Sequence, residues 1–392
     1  MTGDLRVPSR VLVLHNTYQH RGGEDAVVES EVALMRQHGV EVWTHLVSND
    51  EIHERNKAVV AAETLWSRRQ VAAVQALLRQ HRPQVVHVHN TFPLLSPAVY
   101  WACQREGVPV VQTLHNFRLG CPQAMFLREN RVCEDCLGRT PWPAVKHKCY
   151  RDSALQTAVS ALNIVVHRSL GTYRHQVDRF IALNGNARLK FIEMGLPADK
   201  IVVKPNFAEP IAEPAWSGRQ GGLFVGRLST EKGMATLLQA WDQLSALPDG
   251  GRLKVVGKGE FEADWARRGD QVYLGFKPLS EVIEQMRRSL YVLVPSICYE
   301  NFPRTIVEAF SVGVPVIASR MGAMAELIED GVTGLLVTPG DAQDLADKMR
   351  WAQSHPEAMV EMGRQSLARY ERLYTPEANF AELMAVYRSV LR

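Results

Sequence analysis

The sequence predicts an α/β protein built as two Rossmann-like domains, and three observations carry that prediction. A chain of 392 residues is too long for one ordinary domain and fits two, each able to bury its own core. Short β-branched runs alternate along it with amphipathic stretches at helical spacing. One Pro- and Gly-rich segment, PNFAEPIAEPAWSGRQGG (205–222), interrupts this alternation near the middle.

In order, the strand-like runs of the first half are VLVLH (11–15), EVWTHLV (41–47), VVHVHN (85–90), VPVVQTLH (108–115), RFIALN (179–184) and KIVVKPN (200–206). The linker follows, and the pattern restarts with GLFVGRL (222–228), RLKVVG (252–257), QVYLGF (271–276), YVLVPS (291–296) and VPVIAS (314–319). These runs set a first domain at 1–206 and a second at 207–375. Residues 376–392 read as a helix with an apolar stripe, placed to cross back and brace the first domain. Parallel sheets of this kind bind ligands beyond the carboxyl ends of their strands, so residues just after each run are where function is expected.

Hydrophobic content of 46% and charged content of 22% are ordinary for a globular chain, and no stretch nears the roughly 20 apolar residues of a membrane span. The opening MTGDLRVPSRVLVLHN holds an apolar run of only about five residues with no small-residue cleavage site after it, so it reads as a first strand and the protein as cytoplasmic. Net charge is +3 but uneven. Residues 1–205 carry 25 Lys+Arg against 18 Asp+Glu, which leaves 20 against 24 for the rest. A basic first half fits an anionic acceptor, peripheral contact with the inner membrane face, or a solvated surface.

The chemistry-bearing residues concentrate in the second half. In GRLSTEKG (226–233) Arg227 ends a strand and Lys232 stands five residues later, at the start of the next helix. Two cations beside free helix N–H groups make a diphosphate site. No Asp-x-Asp occurs anywhere, so leaving-group charge would be neutralised by side chains and helix dipoles, and no catalytic metal is expected. In PSICYENFPRTIVEAF (295–310), Glu300 and Glu308 lie eight residues apart. Pro303 suits the first helical position, which leaves Glu300 in the loop with the N–H groups of Asn301 and Phe302 facing the same way. A fully helical spacing would separate the carboxylates by about 12 Å, beyond the roughly 5–9.5 Å of glycosidase pairs. They read as two clamps on one elongated ligand.

Together with HRGGED (20–25), TLHN (113–116), PNF (205–207), GKGE (257–260), ENFPRTIVEAFSVGVPVIAS (300–319) and GAMAELIEDGVTGLLVTPGD (322–341), all in the same order, these segments resemble the GT-B glycosyltransferases of family 4. The resemblance covers most of the chain. It implies two parallel sheets facing across a cleft, and retaining transfer from a UDP- or GDP-sugar to a glycan or lipid-linked saccharide in bacterial-type polysaccharide or glycolipid assembly. By resemblance, Arg227 and Lys232 contact the donor diphosphate, Glu300 the transferred sugar and Glu308 the ribose. Phe276 and Lys277 lie where the family encloses the base. The usual Gly after the first Glu is Asn301 here, and Pro303-Arg304 replaces a common Gly-Leu, so Arg304 adds a third cation.

In the first domain, Gly22 and Gly23 let backbone approach a phosphate or sugar closely, with helix N–H groups behind them. In the family that loop lies between donor phosphate and acceptor, and His115 matches a His beside the donor sugar. A retaining enzyme with a carboxylate nucleophile would need an Asp or Glu on the sugar's reactive face, and the first domain offers no obvious one. The resemblance instead implies same-face substitution, the departing diphosphate taking the acceptor's proton, with positioning and charge stabilisation as the enzyme's work.

Four of six cysteines crowd an insertion at about 117–152: Cys121, Cys133, Cys136 and Cys149, spaced C-x11-C-x2-C-x12-C, with Cys103 and Cys298 apart. The spacing suits a structural tetrahedral zinc, with His147 able to replace one thiolate; free thiols, a redox pair or an iron–sulfur site are the other uses. Such an ion would pin a basic loop near the acceptor.

Three other readings compete. A nicotinamide oxidoreductase would need a fingerprint, but VVGKGEFE (255–262) has G-x-G with Glu262 at the third glycine. A GT-B epimerase or hydrolase would share the donor site. A non-enzymatic zinc-containing module would bind nucleic acid in a salt-sensitive way, which phosphate-gripping residues in the acidic half argue against; no nucleic-acid partner is expected.

Overall fold

The computed structural model describes residues 8–19, 21–246, 251–269 and 271–391. They form two compact units. One takes the chain up to Phe126, Glu134–Pro205 and the residues from Asn379 on; the other takes Leu127–Cys133 and Asn206–Ala378. The Pro-rich segment expected as a linker carries no regular element from Lys204 to Gly221.

The first unit is a six-stranded sheet of β1 (Arg10–Thr17), β2 (Glu41–Ser48), β3 (Val85–Asn90), β4 (Val110–Leu114), β7 (Arg179–Ala182) and β8 (Ile201–Val203), all parallel, in the order β2-β1-β3-β4-β7-β8. β3 and β4 are buried at every residue, as strands covered on both faces must be. Between β4 and β7 the insertion holds only the two-residue strands β5 (Leu127–Arg128) and β6 (Arg131–Val132) and a short helix, Trp142–Lys146. The last helix, Pro376–Arg388, returns to this unit: the Phe380 ring stacks on His38 with centroids 3.9 Å apart, and the Tyr387 hydroxyl meets His87 Nδ1 at 2.7 Å.

The second unit is a parallel sheet of β9 (Gly222–Val225), β10 (Leu253–Val256), β11 (Tyr291–Val294), β12 (Val316–Ser319) and β13 (Gly334–Val337), in the order β10-β9-β11-β12-β13. Successive residues point to opposite faces. Leu223, Val292 and Val316 therefore enter one core with Ile306 and Phe310, while Phe224, Leu293 and Ile317 enter another with Leu237 and Leu345.

Two expectations need correcting. QVYLGF forms no full strand: it runs beside β10, with Val255 N–H donating to the Val272 carbonyl, Leu274 N–H to the Val255 carbonyl and Gly257 N–H to the Gly275 carbonyl, but only Tyr273 completes a bridge, to Val255. The sheet's fifth strand is β13, in GVTGLLVTPGD, which pairs with β12 at the opposite edge. Pro303 is the residue before the helix Arg304–Ser311 and not its first, because its ψ of 96° is extended.

Candidate functional site

In both sheets the strand order reverses direction at one point, and that is where crevices open in such folds. In the second unit it lies between β9 and β11. The loop after β9 carries Arg227 and a 3-10 turn, Thr230–Lys232; the loop after β11 carries Ser296 and Glu300. The two loops touch so closely that only glycine fits between them. Gly233 has φ +74°, and a Cβ there would lie 1.9 Å from the Pro295 carbonyl oxygen. The neighbouring loop after β10 is held likewise, since a Cβ on Gly257 would meet the Gly226 carbonyl at 1.8 Å.

This packing brings Lys232 Nζ onto Glu300 Oε1, which also accepts from Ser296 Oγ at 2.7 Å. Burial alone would raise the Glu300 carboxyl, but Lys232, Ser296 and Arg227 outweigh it and hold the group below the usual carboxylate range. Lys232 is the mirror case: burial works to discharge it, and Glu300 keeps its ammonium above its ordinary value. Arg227 reaches Glu231 at 2.9 Å with its side chain 71% exposed, so that contact exchanges easily for a phosphate. One step along, Arg304 Nη2 lies 3.5 Å from Glu308 Oε1, and burial raises the Glu308 carboxyl with Arg304 opposing. Ser229 Oγ and Arg304 Nε are buried without a hydrogen-bond partner, a state that a ligand's oxygens would relieve. Asn301 is buried and Phe302 half-buried beside this loop. Phe276 is 69% exposed and Lys277 pairs with Glu281 at 3.1 Å, so both stand at the surface.

In the first unit the reversal lies between β1 and β3. The helix Gly23–Gln37 starts there, capped by Gly22, whose N–H donates to Asp25 Oδ2 at 2.8 Å. A Cβ on Gly23 would meet nothing within 4 Å, so what this glycine leaves open faces outward. His20, the first residue of the motif, lies outside the described residues. Asp25 binds His15 Nε2 at 2.9 Å. Glu24, its neighbour, accepts from the Tyr18 hydroxyl at 2.8 Å and from Asn116 Nδ2 at 3.3 Å, and burial raises its carboxyl. Sequence reasoning passed over this carboxyl because an acidic residue in a helix's first turn is ordinary.

Behind the opening lies a histidine chain. His87 and His89 alternate along β3, a spacing that puts both side chains on one face. His89 Nδ1 and His115 Nε2 are 2.8 Å apart, His89 Nε2 faces Glu31 Oε2 at 3.7 Å, and Glu31 Oε1 holds Lys204 Nζ at 2.7 Å. Burial, reinforced by the other rings and Lys204, holds His89 and His115 well below the ordinary imidazole range, so both are neutral at pH 7. A carboxylate only accepts, so the tautomer that suits His89 has Nε2–H toward Glu31 and Nδ1 accepting from His115 Nε2–H. His115 then offers Nδ1 as a lone pair. It lines a pocket at the ends of β3 and β4 with His89, Asn116, Arg118, Asn163 and Tyr173.

Among the described residues, Glu31, His87 and His89 are also the one set of three or more His, Cys, Asp or Glu ligand atoms within 4.8 Å of one another. Both His87 nitrogens are already bonded, to Tyr387 and Thr113, and Lys204 occupies Glu31. His89 Nε2 and Glu31 Oε2, 3.7 Å apart, are the atoms of the set that are left without a hydrogen bond. Of the insertion's cysteines, Cys121 and Cys136 are buried and Cys133 and Cys149 half-buried, and no three of them have their sulfurs within 4.8 Å of one another.

Two parallel sheets, each with polar residues gathered where its strand order reverses, define the GT-B class of glycosyltransferases. Sequence models agree along the chain: that of Glycosyltransferase Family 4 matches residues 21–210 and that of Glycosyl transferases group 1 matches 219–355. The chain belongs to the family 4 glycosyltransferases. It is 28% identical over 295 residues to the glycogen synthase of Mycobacterium tuberculosis, covering 73% of this chain and 64% of that one. The match thus spans a little under two thirds of that relative's length. With the 2-deoxystreptamine glucosyltransferase of Streptomyces kanamyceticus it shares 26% identity, over 81% of each chain. Solved structures with the same fold include the sucrose-phosphate synthase of Thermosynechococcus elongatus (TM-score 0.71, 18% identity, 97% of this chain and 99% of that). Another is HepE of Anabaena in complex with UDP (TM-score 0.65, 19% identity, 97% of this chain and 100% of that).

Proposed function

We propose that the protein is a retaining glycosyltransferase that moves a sugar from a UDP- or GDP-sugar to a glycan or lipid-linked saccharide, in polysaccharide or glycolipid assembly. The observation that carries this reading is the Lys232–Glu300 pair at the strand reversal of the second sheet, with Arg227 exposed beside it. A diphosphate arriving there meets two cations, and Lys232 is already charged. Glu300 and Glu308 accept from sugar and ribose hydroxyls, and the buried, unpartnered Arg304 Nε has its acceptor among the donor's oxygens. The relative HepE, solved with UDP and with UDP-glucose, makes uridine nucleotides the first to test. In the first unit, neutral His115 accepts a hydrogen bond from a sugar hydroxyl, and the diphosphate takes the acceptor's proton. No metal enters this scheme.

The test is thermal unfolding of the protein in buffer free of added magnesium and manganese, with UDP, GDP, ADP and their sugars. One nucleotide class raises the midpoint, as ligand binding to the native state must, and Glu308→Ala loses most of that rise. Equal failure of all nucleotides, or an absolute need for added divalent metal, would overturn the donor assignment.

For the cysteines we propose the structural zinc that their spacing suits. What supports it is the irregular backbone around them: Ala124, Phe126, Glu129, Asn130, Lys148, Arg151 and Asp152 all have positive φ, a costly arrangement that a metal staple would hold. Elemental analysis should find about one zinc per chain, lost together with thermal stability in Cys133→Ser/Cys136→Ser. A wild type that is metal-free and equally stable defeats this.

A further inference from the structure

We propose that the first unit docks on an anionic lipid surface through the outer sides of two helices, Lys57–Leu65 and Ala154–Ser169, and the short helix that carries Trp142. The inference deepens the lipid-linked side of the proposed function but rests on its own observations. In the helix Ala154–Ser169 no charged residue occurs before Arg168. Its solvent side reads Leu155, Val159, Leu162, Val166 at steps of four, three and four, which is one face of an α-helix. Leu155 is 75% exposed, Leu162 is exposed, and the two valines are half-buried. A helix side turned to water is normally charged or polar; this one is aliphatic. The helix packed against it, Lys57–Leu65, likewise leaves Ala58, Val59 and Ala62 exposed, with Trp66 just beyond its end. Trp142, at the start of the third helix, is 73% exposed.

Charge identifies the occupant. Around Trp142 and the start of the aliphatic side, residues 139–155 carry Arg139, Lys146, Lys148 and Arg151 against Asp152 alone, all exposed. A second copy of this surface would bring like charges together, whereas an anionic bilayer complements them while its acyl boundary takes up the Leu and Trp side chains. Exposed Trp at the edge of such a patch is suited to the headgroup level. The helix has 16 residues and two ionisable groups at its end, and no described helix is long and apolar enough to cross a membrane; the geometry is that of a helix lying in the interface plane.

The test is flotation of the full chain with vesicles of phosphatidylcholine alone and with about one third phosphatidylglycerol, without nucleotide, beside light scattering for oligomeric state. Wild type floats with the anionic vesicles and loses most of this binding in high salt. Leu155→Asp/Leu162→Asp abolishes it. Lys146→Ala/Lys148→Ala/Arg151→Ala weakens it by roughly fivefold per cation removed. Because the changed side chains are exposed, unfolding midpoints and nucleotide-induced stabilisation stay at wild-type values in all variants, which separates this proposal from the donor site. Absence of flotation, flotation unaffected by the Leu substitutions, or a dimer that Leu155→Asp dissociates would each overturn it.

Discussion

Replacing Lys204 by Met will destabilise the first unit by about 3–5 kcal/mol, the cost of leaving a buried charge without its partner. Lys204 and Glu31 are each only 1% exposed at the side chain, and Lys204 Nζ is also held by Asn379 Oδ1 at 3.0 Å. Met fills the space but strands the Glu31 carboxylate beside His89. Denaturant unfolding measures the loss, and the companion Glu31→Gln/Lys204→Met should recover a good part of it, since removing both charges is far cheaper than removing one. If the single and double variants are equally unstable, the pair matters for packing and not for charge.

The second large effect is expected for Lys232→Ala. Its partner Glu300 would lie in the second unit with Arg227 as its remaining cation. Because Lys232 and Glu300 are 24% and 14% exposed at the side chain, water screens part of the cost, and about 2 kcal/mol is expected in place of the fully enclosed value. Nucleotide-induced stabilisation should fall much further, as the variant lacks the ammonium that would meet the diphosphate. The pH dependence has a definite sign. Glu300's pKa is lowered from 4.5, so its contribution is present above that pH and is lost as pH falls through the lowered value. Lys232's pKa is raised from 10.5, so its contribution is full below 10.5 and is lost as pH rises through the raised one. Between those limits the pair is intact; a stability difference between wild type and Lys232→Ala/Glu300→Ala that does not narrow on acidification below 4.5 would contradict the assignment.

Much of the second unit's site was legible because its residues are local in sequence. Arg227 and Lys232 share one strand-loop-helix junction, and Glu300 and Glu308 another, so motif and spacing suffice. The first unit is different. Glu31, His89, His115 and Lys204 come from a helix, a strand, the residue just past β4 and the chain beyond β8, and no spacing connects them. The readable sign was His87 and His89 alternating on one strand, an unusual demand for a strand buried on both faces. Glu24 was hidden for the opposite reason, since its type and place are common. QVYLGF misled because a β-branched and aromatic run satisfies the strand pattern whether or not it completes a ladder; it bonds to β10 at a few points only, while β13 pairs along its length with β12 at the other edge.

The return of the final helix to the first unit carries a consequence for biosynthesis. Asn379 and Tyr387 supply partners for Lys204 and His87, yet they leave the ribosome after the whole second unit. The first unit therefore stays unfinished while the second is being made, its buried lysine and histidine awaiting residues that follow it in the chain. The second unit, whose residues are contiguous from Asn206 to Ala378 apart from the short hairpin segment, has nearly all it needs earlier. Order of synthesis and order of completion are reversed, and damage to the helix that carries Asn379 and Tyr387 is felt in the first unit, at Lys204 and His87.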